Sequence, residues 1–177
     1  MSGPSCELEF GEQGALTERD WADVIDREDE PFGAVPDGLA WRPKDRHVTC
    51  RAADGRLVAA AGVLVATVQV DAEATFDVVG LGSVIVTRSL RGRGLMPKLM
   101  EPLMRIAHGI GPDRAMLFCR PELVDLYERF EFIRIAAPVW ADQPDGRIEM
   151  PMVAMWRALR PDAQWPPGRV EVKGLPF

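Results

Sequence analysis

A chain of 177 residues is long enough to bury a hydrophobic core, and its length is that of one domain, so we expect a single domain over residues 1–177. With 47% hydrophobic and 27% charged residues, the composition is ordinary for a soluble globular protein. The formal net charge of -6 argues against a nucleic-acid partner and mildly favours a cationic acceptor.

Three further features limit where the protein acts. The longest apolar stretch, residues 57–70, is too short to cross a bilayer, so we expect no membrane partner. Residues 1–10 contain no basic region followed by an apolar core, and we expect no secretory signal. The scattered cysteines Cys6, Cys50 and Cys119 lack metal-ligand spacing. We expect reduced thiols, no metal and a cytoplasmic location.

The first elements are an edge strand over residues 6–10 and a helix that begins after a capping box at residues 17–20. The acids in and after this helix are interpreted as a solvated face or as an acidic lip for a cationic substrate. They are Asp20, Asp23, Asp26, Glu28, Asp29 and Glu30.

A loop over residues 30–46 follows, because its prolines and glycines forbid a long helix. Trp21, Phe32 and Trp41 lie in or next to it, and either plug the core beneath the loop or line an acceptor pocket.

Three consecutive strands are predicted over residues 47–51, 57–70 and 75–86, forming an antiparallel meander. Gly80 and Gly82 interrupt the third strand, which predicts a bulge just before Val84.

The end of this third strand leads into a turn rich in glycine and arginine, and then into a helix. Gly92 and Gly94 allow unusual backbone angles and close approach of a ligand. The amides of the first helical turn lack intrahelical partners, and Arg91 and Arg93 add cationic side chains. This arrangement favours a bound phosphate group.

The helix is predicted over residues 93–108, with a kink or a division at Pro102. A short buried strand over residues 114–119 follows, and the strand–helix–strand order implies parallel pairing with the third meander strand.

A second helix begins near Pro121 and presents one apolar face, formed by Leu123, Leu126, Tyr127 and Phe130. A tyrosine on such a face is more often a core residue than a catalyst.

Two more strands, over residues 133–135 and 148–156, complete a mixed seven-stranded sheet with helices on its faces. The tail, about residues 160–177, is expected to be irregular and packed against the body because it is rich in proline and glycine but contains large apolar residues.

The turn resembles motif A of the acetyl-CoA-dependent N-acetyltransferases of the GNAT superfamily, whose signature is Arg/Gln-x-x-Gly-x-Gly/Ala. Arg91 and Gly94 match, whereas Met96 stands where the family prefers glycine or alanine. The resemblance implies that backbone amides of the turn hold the pyrophosphate and that the strand backbone bonds the pantetheine arm. The turn residues are Arg91, Gly92, Arg93, Gly94, Leu95 and Met96, and the strand residues are Val84, Ile85 and Val86.

The second helix resembles motif B of the same family, usually Ala-x-x-x-Tyr-x-x-x-Gly-Phe. Here Leu123, Tyr127 and Phe132 occupy the pattern, and Glu131 replaces the glycine. The resemblance implies that Tyr127 protonates the departing thiolate. A phenol with a pKa near 10 is protonated at neutral pH, which suits that role.

The resemblance implies an α/β (α+β) fold with a mostly antiparallel, GNAT-type sheet and a splayed central strand pair. It also implies transfer of an acetyl group from acetyl-CoA, as co-substrate, to a primary amine of a small molecule. We expect Asp77, Gly82 and Cys119 to contribute to the acceptor side. Asp77 and Glu73 are the acids upstream on that strand, but each is more often an exposed charge than a base.

Within the superfamily, the segment order and tail are most similar to aminoglycoside 2'-N-acetyltransferases, and the Trp-Pro-Pro-Gly sequence is also similar to nodulation N-acyltransferases. The acidic positions of the aminoglycoside enzymes correspond to Val35 and Gly82, so a polycationic sugar would lack its partners. A non-catalytic acyl-CoA-binding or sensing module and a purely structural domain are the alternatives. A homodimer is compatible with the sequence.

Overall fold

Ten strands form one sheet in the part of the chain that the computed structural model describes, residues 7–33, 35–36 and 38–177. The strands are β1 (Leu8–Gln13), β2 (Arg46–Ala52), β3 (Leu57–Val70), β4 (Ala74–Val86), β5 (Arg114–Cys119), β6 (Ile133–Arg134), β7 (Val139–Gln143), β8 (Gly146–Glu149), β9 (Val153–Ala158) and β10 (Val170–Lys173). The α-helices are α1 (Glu18–Ile25), α2 (Leu95–Ile110) and α3 (Val124–Glu128), and 3₁₀ turns span Arg88–Leu90 and Pro121–Leu123.

The strand order is β6-β9-β5-β4-β3-β10-β7-β8, and β2 pairs with both β3 and β1. The pairs β4–β5 and β10–β7 are parallel, and the other described pairs are antiparallel. The predicted mixed, mostly antiparallel sheet with a parallel pair joined by α2 is therefore confirmed.

The capping box predicted at the start of α1 is present. The Thr17 side chain accepts a hydrogen bond from the Asp20 amide, and the Asp20 carboxylate accepts one from the Thr17 amide. Asp20 is buried and forms a 2.7 Å ion pair with Arg51 on β2. This acid therefore fastens α1 to the sheet, and the interpretation of it as part of a solvated face is wrong.

The two faces of the sheet are covered differently because side chains alternate along each strand. On one face, called here the α2 face, Val79 and Leu81 of β4 pack in one cluster with Leu99 and Leu103 of α2. The opposite face, called here the α1 face, is covered by α1 at one end and by a second apolar cluster at the other.

A β-bulge lies in β4 just before the predicted ligand-binding strand segment. Gly62 pairs with Gly82 and Ala60 with Ile85, so Ser83 and Val84 together oppose Ala61. Ser83 has a φ of 52°, and the predicted bulge is confirmed.

The two central strands separate beyond the bulge. Pairing between β4 and β5 ends at Leu81 and Leu117, whereas β4 continues to Val86 along β3 alone. The sheet therefore contains a gap, called here the splay, between the last third of β4 and the end of β5. The splayed central pair implied by the resemblance is present.

Pro102 lies inside α2, which runs without interruption from Leu95 to Ile110. The predicted alternative of a divided helix is wrong. A proline inside a helix costs about 3 kcal/mol, but Leu99 and Leu103 on either side of it are fully buried against the sheet. Their burial keeps the two halves of the helix together.

The sheet has three more strands than the seven that were predicted, and all three lie in the C-terminal half of the chain. Val170 and Val172 are buried in β10, which inserts between β3 and β7. The tail is thus packed against the body as predicted, but the prediction that it is irregular is wrong for Val170–Lys173. The single strand predicted over residues 148–156 is divided into β8 and β9 around Pro151, which has no amide hydrogen to donate. The third addition is β7. Of the predicted first strand, Cys6 lies outside the described residues.

Candidate active site

The turn between β4 and α2 is open and has unpaired amides. Gly92 and Gly94 have φ of 74° and 72°, and apart from their chain neighbours no atom of the described residues lies within 4 Å of where a Cβ on either would be. In the described part of the chain, no protein acceptor bonds the amides of Gly92, Arg93 and Gly94. Amides at the N-terminus of α2, beginning at Leu95, add to this group. The turn therefore has the geometry of an anion-binding site.

The side chains of residues 84–86 of β4 pack into the apolar clusters on the two faces of the sheet. Their main-chain groups therefore border the splay. Val84 and Val86 pack against the cluster on the α2 face. Ile85 is buried with Val24 and Leu57 on the other side. An extended ligand in the splay would thus meet main-chain groups of β4, as an added strand does.

The two arginines of the turn have different surroundings. Arg91 donates from Nε to the carbonyl of Val86 at 2.9 Å and binds both carboxylate oxygens of Glu28, at 2.7 and 2.5 Å. Arg93 is exposed, and no described residue forms an ion pair with it. Arg91 is therefore fixed by protein groups, whereas Arg93 is available to an anion.

The segment after α1 places acids beside this turn. A surface depression is lined by Glu28, Asp29 and Glu30 together with Arg88 and Arg91. Hydrogen bonds from Arg91 hold the pKa of Glu28 below its usual value, so Glu28 is ionised at neutral pH. Its charge would oppose an anion bound at the turn. The Glu28 side chain is 16% exposed and paired with Arg91, so the interpretation of Glu28 as part of a solvated face is wrong.

We expect Glu28→Gln to tighten coenzyme A binding. Removing the Glu28 charge at the edge of the turn should lower the Kd by about two- to fivefold. Titration calorimetry at low salt measures the change, and Glu18→Gln, at an exposed acid in the first turn of α1, is the matched control. Equal Kd values for the two variants would contradict the expected repulsion between the Glu28 charge and the bound anion.

Tyr127 is buried on the α2 face beside the end of β5. Its ring packs edge-on against Phe132, with centroids 6.1 Å apart. Burial raises the pKa of the phenol well above its usual value, and Cys119 shifts it in the same direction. The hydroxyl therefore stays protonated and can act only as a hydrogen-bond or proton donor at neutral pH.

Glu131, which replaces the motif B glycine, has a left-handed backbone with φ of 65°. The Phe132 amide donates to the Tyr127 carbonyl at 3.2 Å, as in a Schellman-type helix end. The Glu131 carboxylate forms a 2.6 Å ion pair with Arg157, but its side chain is 75% exposed. The glycine-like conformation is thus kept without the glycine.

We expect Glu131→Gly to raise the free energy of unfolding by about 0.5–1 kcal/mol, because it relieves a left-handed non-glycine residue and loses only an exposed ion pair. Urea denaturation measures this, with Glu131→Ala as the control that loses the pair but keeps the backbone strain. A glycine variant no more stable than the alanine variant would show that the strain is negligible.

The α1 face of the splay has aromatic walls and a cation. The Phe118 ring of β5 lies 6.3 Å from Trp41 and 5.5 Å from Phe177. Lys44 is buried beside Gly82. Sequence reasoning missed Lys44 and Phe177 as site residues.

Asp77 and Cys119 are not brought together with Gly82. Asp77 is exposed, accepts a hydrogen bond from Thr67, and lies seven residues before Val84, or about 23 Å along an extended strand. Cys119 is buried on the α2 face, where burial raises the pKa of its thiol to about 11. Neither side chain is placed to contact an acceptor, so we leave both out of the acceptor site.

Comparisons with known proteins agree with this geometry. Residues 14–135 match the family model of the acetyltransferase (GNAT) domain. A search of curated proteins finds no match. No described helix is long and apolar enough to cross a bilayer.

Solved structures of similar fold include three bacterial proteins. The GNAT family N-acetyltransferase YhbS of Escherichia coli, in complex with CoA, is 18% identical over 97% of this chain and 92% of that chain, with a TM-score of 0.57. An acyl-CoA N-acyltransferase of Pseudomonas aeruginosa is 23% identical over 86% and 100%, with a TM-score of 0.57. Escherichia coli ElaA is 22% identical over 85% and 99%, with a TM-score of 0.55.

Proposed function

The chain belongs to the GNAT acetyltransferase family, and from that premise we propose that it transfers the acetyl group of acetyl-CoA to a primary amine of a small molecule. The observation that carries this proposal is the splay between β4 and β5, which leads directly into the open turn with unpaired amides. Such a path suits a ligand that has an extended arm and a diphosphate.

The turn would bind the diphosphate of acetyl-CoA through the amides of Gly92, Arg93 and Gly94 and the first turn of α2. The exposed guanidinium of Arg93 supplies a nearby positive charge. The backbone of residues 84–86 would bond the pantetheine arm. The thioester would then lie at the closed end of the splay, near the bulge.

We propose direct transfer without an acyl-enzyme on the way to the acceptor. The acceptor amine attacks the thioester carbonyl, and the backbone amide near Val84 polarises the developing oxyanion. Tyr127 donates its proton to the departing sulfur. The burial of Tyr127 supports this role because its hydroxyl remains protonated throughout the physiological pH range.

An aminoglycoside acceptor is supported less well than a small monoamine. Val35 and Gly82 stand where the aminoglycoside enzymes have acids, and buried Lys44 beside Gly82 adds a positive charge. A polycationic sugar would be repelled there instead of bound.

Thiol release distinguishes an enzyme from a binding module. The protein is incubated with acetyl-CoA and a panel of monoamines, diamines, amino acids and aminoglycosides, and free coenzyme A thiol is followed with time. Acceptor-dependent release supports the proposal. Saturable coenzyme A binding without release from any amine would favour the sensing module, and absence of both would leave only a structural domain.

A further inference from the structure

We propose that Lys44 is a self-acetylation site, whose side-chain amine takes the acetyl group from acetyl-CoA when no acceptor amine is present. This inference rests on the proposed use of acetyl-CoA. It concerns a residue on the opposite face of the sheet from Tyr127.

The side chain of Lys44 lies across two strands and is directed toward the splay. Its Cβ and Cγ lie 2.7 Å from where a Cβ on Gly62 would be, and its Cε and Nζ lie 2.6 and 3.2 Å from the same point on Gly82. Gly62 and Gly82 are paired neighbours in β3 and β4. The lysine stem therefore runs perpendicular to the strands, from β3 to β4.

The two glycines make this path possible, because a Cβ at either position would overlap the lysine stem. Beside the amine, the main-chain carbonyl carbon of Phe177 lies 3.0 Å from the same point on Gly82, and the Phe177 ring packs against Phe118 of β5. β4 and β5 pair no further than Leu81 and Leu117. The Lys44 amine thus lies at the closed end of the splay, where the proposed function places the thioester.

The surroundings of Lys44 give its amine a larger neutral, nucleophilic fraction than an exposed lysine has, although most of it is still protonated at neutral pH. The residue is 6% exposed, and Nζ donates one hydrogen bond, to the Arg42 carbonyl at 2.8 Å. No described carboxylate forms an ion pair with it. Burial lowers its pKa to about 8, the charge of Arg42 acts in the same direction, and Asp45 opposes both.

His47 is a second buried polar residue beside Lys44. Its ring lies over the same glycine, Gly62, as the lysine stem. Nδ1 contacts the Gly14 carbonyl, and buried Nε2 has no hydrogen-bond partner in the described part of the chain. Burial lowers the pKa of His47, and the positive charge of Lys44 acts in the same direction, so the imidazole is uncharged at neutral pH.

The chemical step is an aminolysis that needs no further reactant. The neutral Nζ attacks the thioester carbonyl, a C–N bond forms and the C–S bond breaks. Tyr127, on the α2 face, protonates the sulfur, and the proton lost by Nζ passes to solvent. The products are acetyl-lysine and coenzyme A thiol, and since the amide is stable each chain reacts once.

The three lysines of the chain, Lys44, Lys98 and Lys173, make the test direct. Lys98 is exposed, and Lys173 forms a 3.1 Å ion pair with Glu171. The protein is incubated with acetyl-CoA alone at pH 8, and intact mass and peptide mapping locate any acetyl group. We expect a gain of one acetyl group per chain, on Lys44, while Lys98 and Lys173 stay unmodified.

Matched variants assign the reaction to this site. Lys44→Arg keeps the positive charge and should abolish the gain of mass, whereas Lys98→Arg should retain it. If Lys44→Arg does not fold, the peptide map of the wild-type protein decides the question by itself.

Each outcome bears on the inference separately from the proposed function. Coenzyme A binding and acceptor-dependent thiol release with Lys44 unmodified would overturn the inference alone. Acetylation of Lys98 or Lys173 as fast as that of Lys44 would overturn it too, because that pattern follows accessibility. Failure to bind coenzyme A would overturn both proposals.

Discussion

Tyr127→Phe is expected to lower kcat by about 10²–10⁴-fold, the usual contribution of a positioned general acid. The change removes only the hydroxyl, and the remaining ring keeps its edge-on contact with Phe132. Since we propose that the diphosphate binds at the turn after β4 and not at this hydroxyl, we expect the Kd for coenzyme A to change by less than about twofold. Initial rates at saturating acceptor and calorimetric titration of coenzyme A measure the two quantities.

The pH dependence gives a second measurement of the same role. Burial raises the pKa of Tyr127, and a general acid is active while protonated, so activity should not fall through its ionisation below about pH 10. Asp125→Asn, at an exposed position on the same helix, is the control and should leave kcat unchanged. If Tyr127→Phe weakened coenzyme A binding as much as it slowed turnover, the tyrosine would be a packing residue and not the acid.

The sequence predicted best those parts of the structure that are determined by local sequence patterns. The run from Val84 to the helix after Gly94 combines β-branched residues, glycines with positive φ and a helical periodicity, all of which are local signals. The left-handed Gly94 cap confirms the turn and explains why α2 begins at Leu95, two residues after the predicted start. The bulge before Val84 was predictable for the same reason, since Gly80 and Gly82 interrupt the strand.

The residues that sequence reasoning missed depend on strand register, which a single sequence does not reveal. Lys44 follows a proline in a charged loop, where a lysine is normally solvated. It is buried only because Gly62 and Gly82 pair across β3 and β4 and leave room for its stem. The sequence does not distinguish Glu28 from the neighbouring acids, because its contact with Arg91 depends on the fold.

The C-terminal half was predicted less well because its strands are short and their partners lie far away in sequence. β10 spans four residues, and it becomes a strand by pairing with β3 and β7 on either side. Neighbouring proline and glycine gave a stronger local signal than the alternation of Val170 and Val172. Long-range pairing therefore overrode local propensity.

A substitution in the turn should weaken coenzyme A binding more than it slows turnover, which is the reverse of the effect expected for Tyr127→Phe. We expect Gly94→Val to raise the Kd for coenzyme A by at least about tenfold, since a single hydrogen bond to a charged group is worth about 1.5–3 kcal/mol. The left-handed backbone of Gly94 disfavours a β-branched residue, and the new side chain would occupy the open space at the turn. Once coenzyme A is saturating, kcat should fall much less, because Tyr127 and the splay are untouched.

Backbone strain has to be separated from loss of the ligand site, and Gly55 provides the matched position. It lies in the turn between β2 and β3 with a φ of 82°, and as at Gly94 no described atom beyond the chain neighbours lies within 4 Å of an added Cβ. Gly55→Val should therefore lose similar stability, about 1–2 kcal/mol, in urea denaturation but bind coenzyme A as the wild type does. Equal weakening by both variants would mean that general strain, and not blocked amides, reduces binding. Normal affinity in Gly94→Val would place the diphosphate elsewhere, because a valine there cannot coexist with an anion held against the amides of residues 92–94.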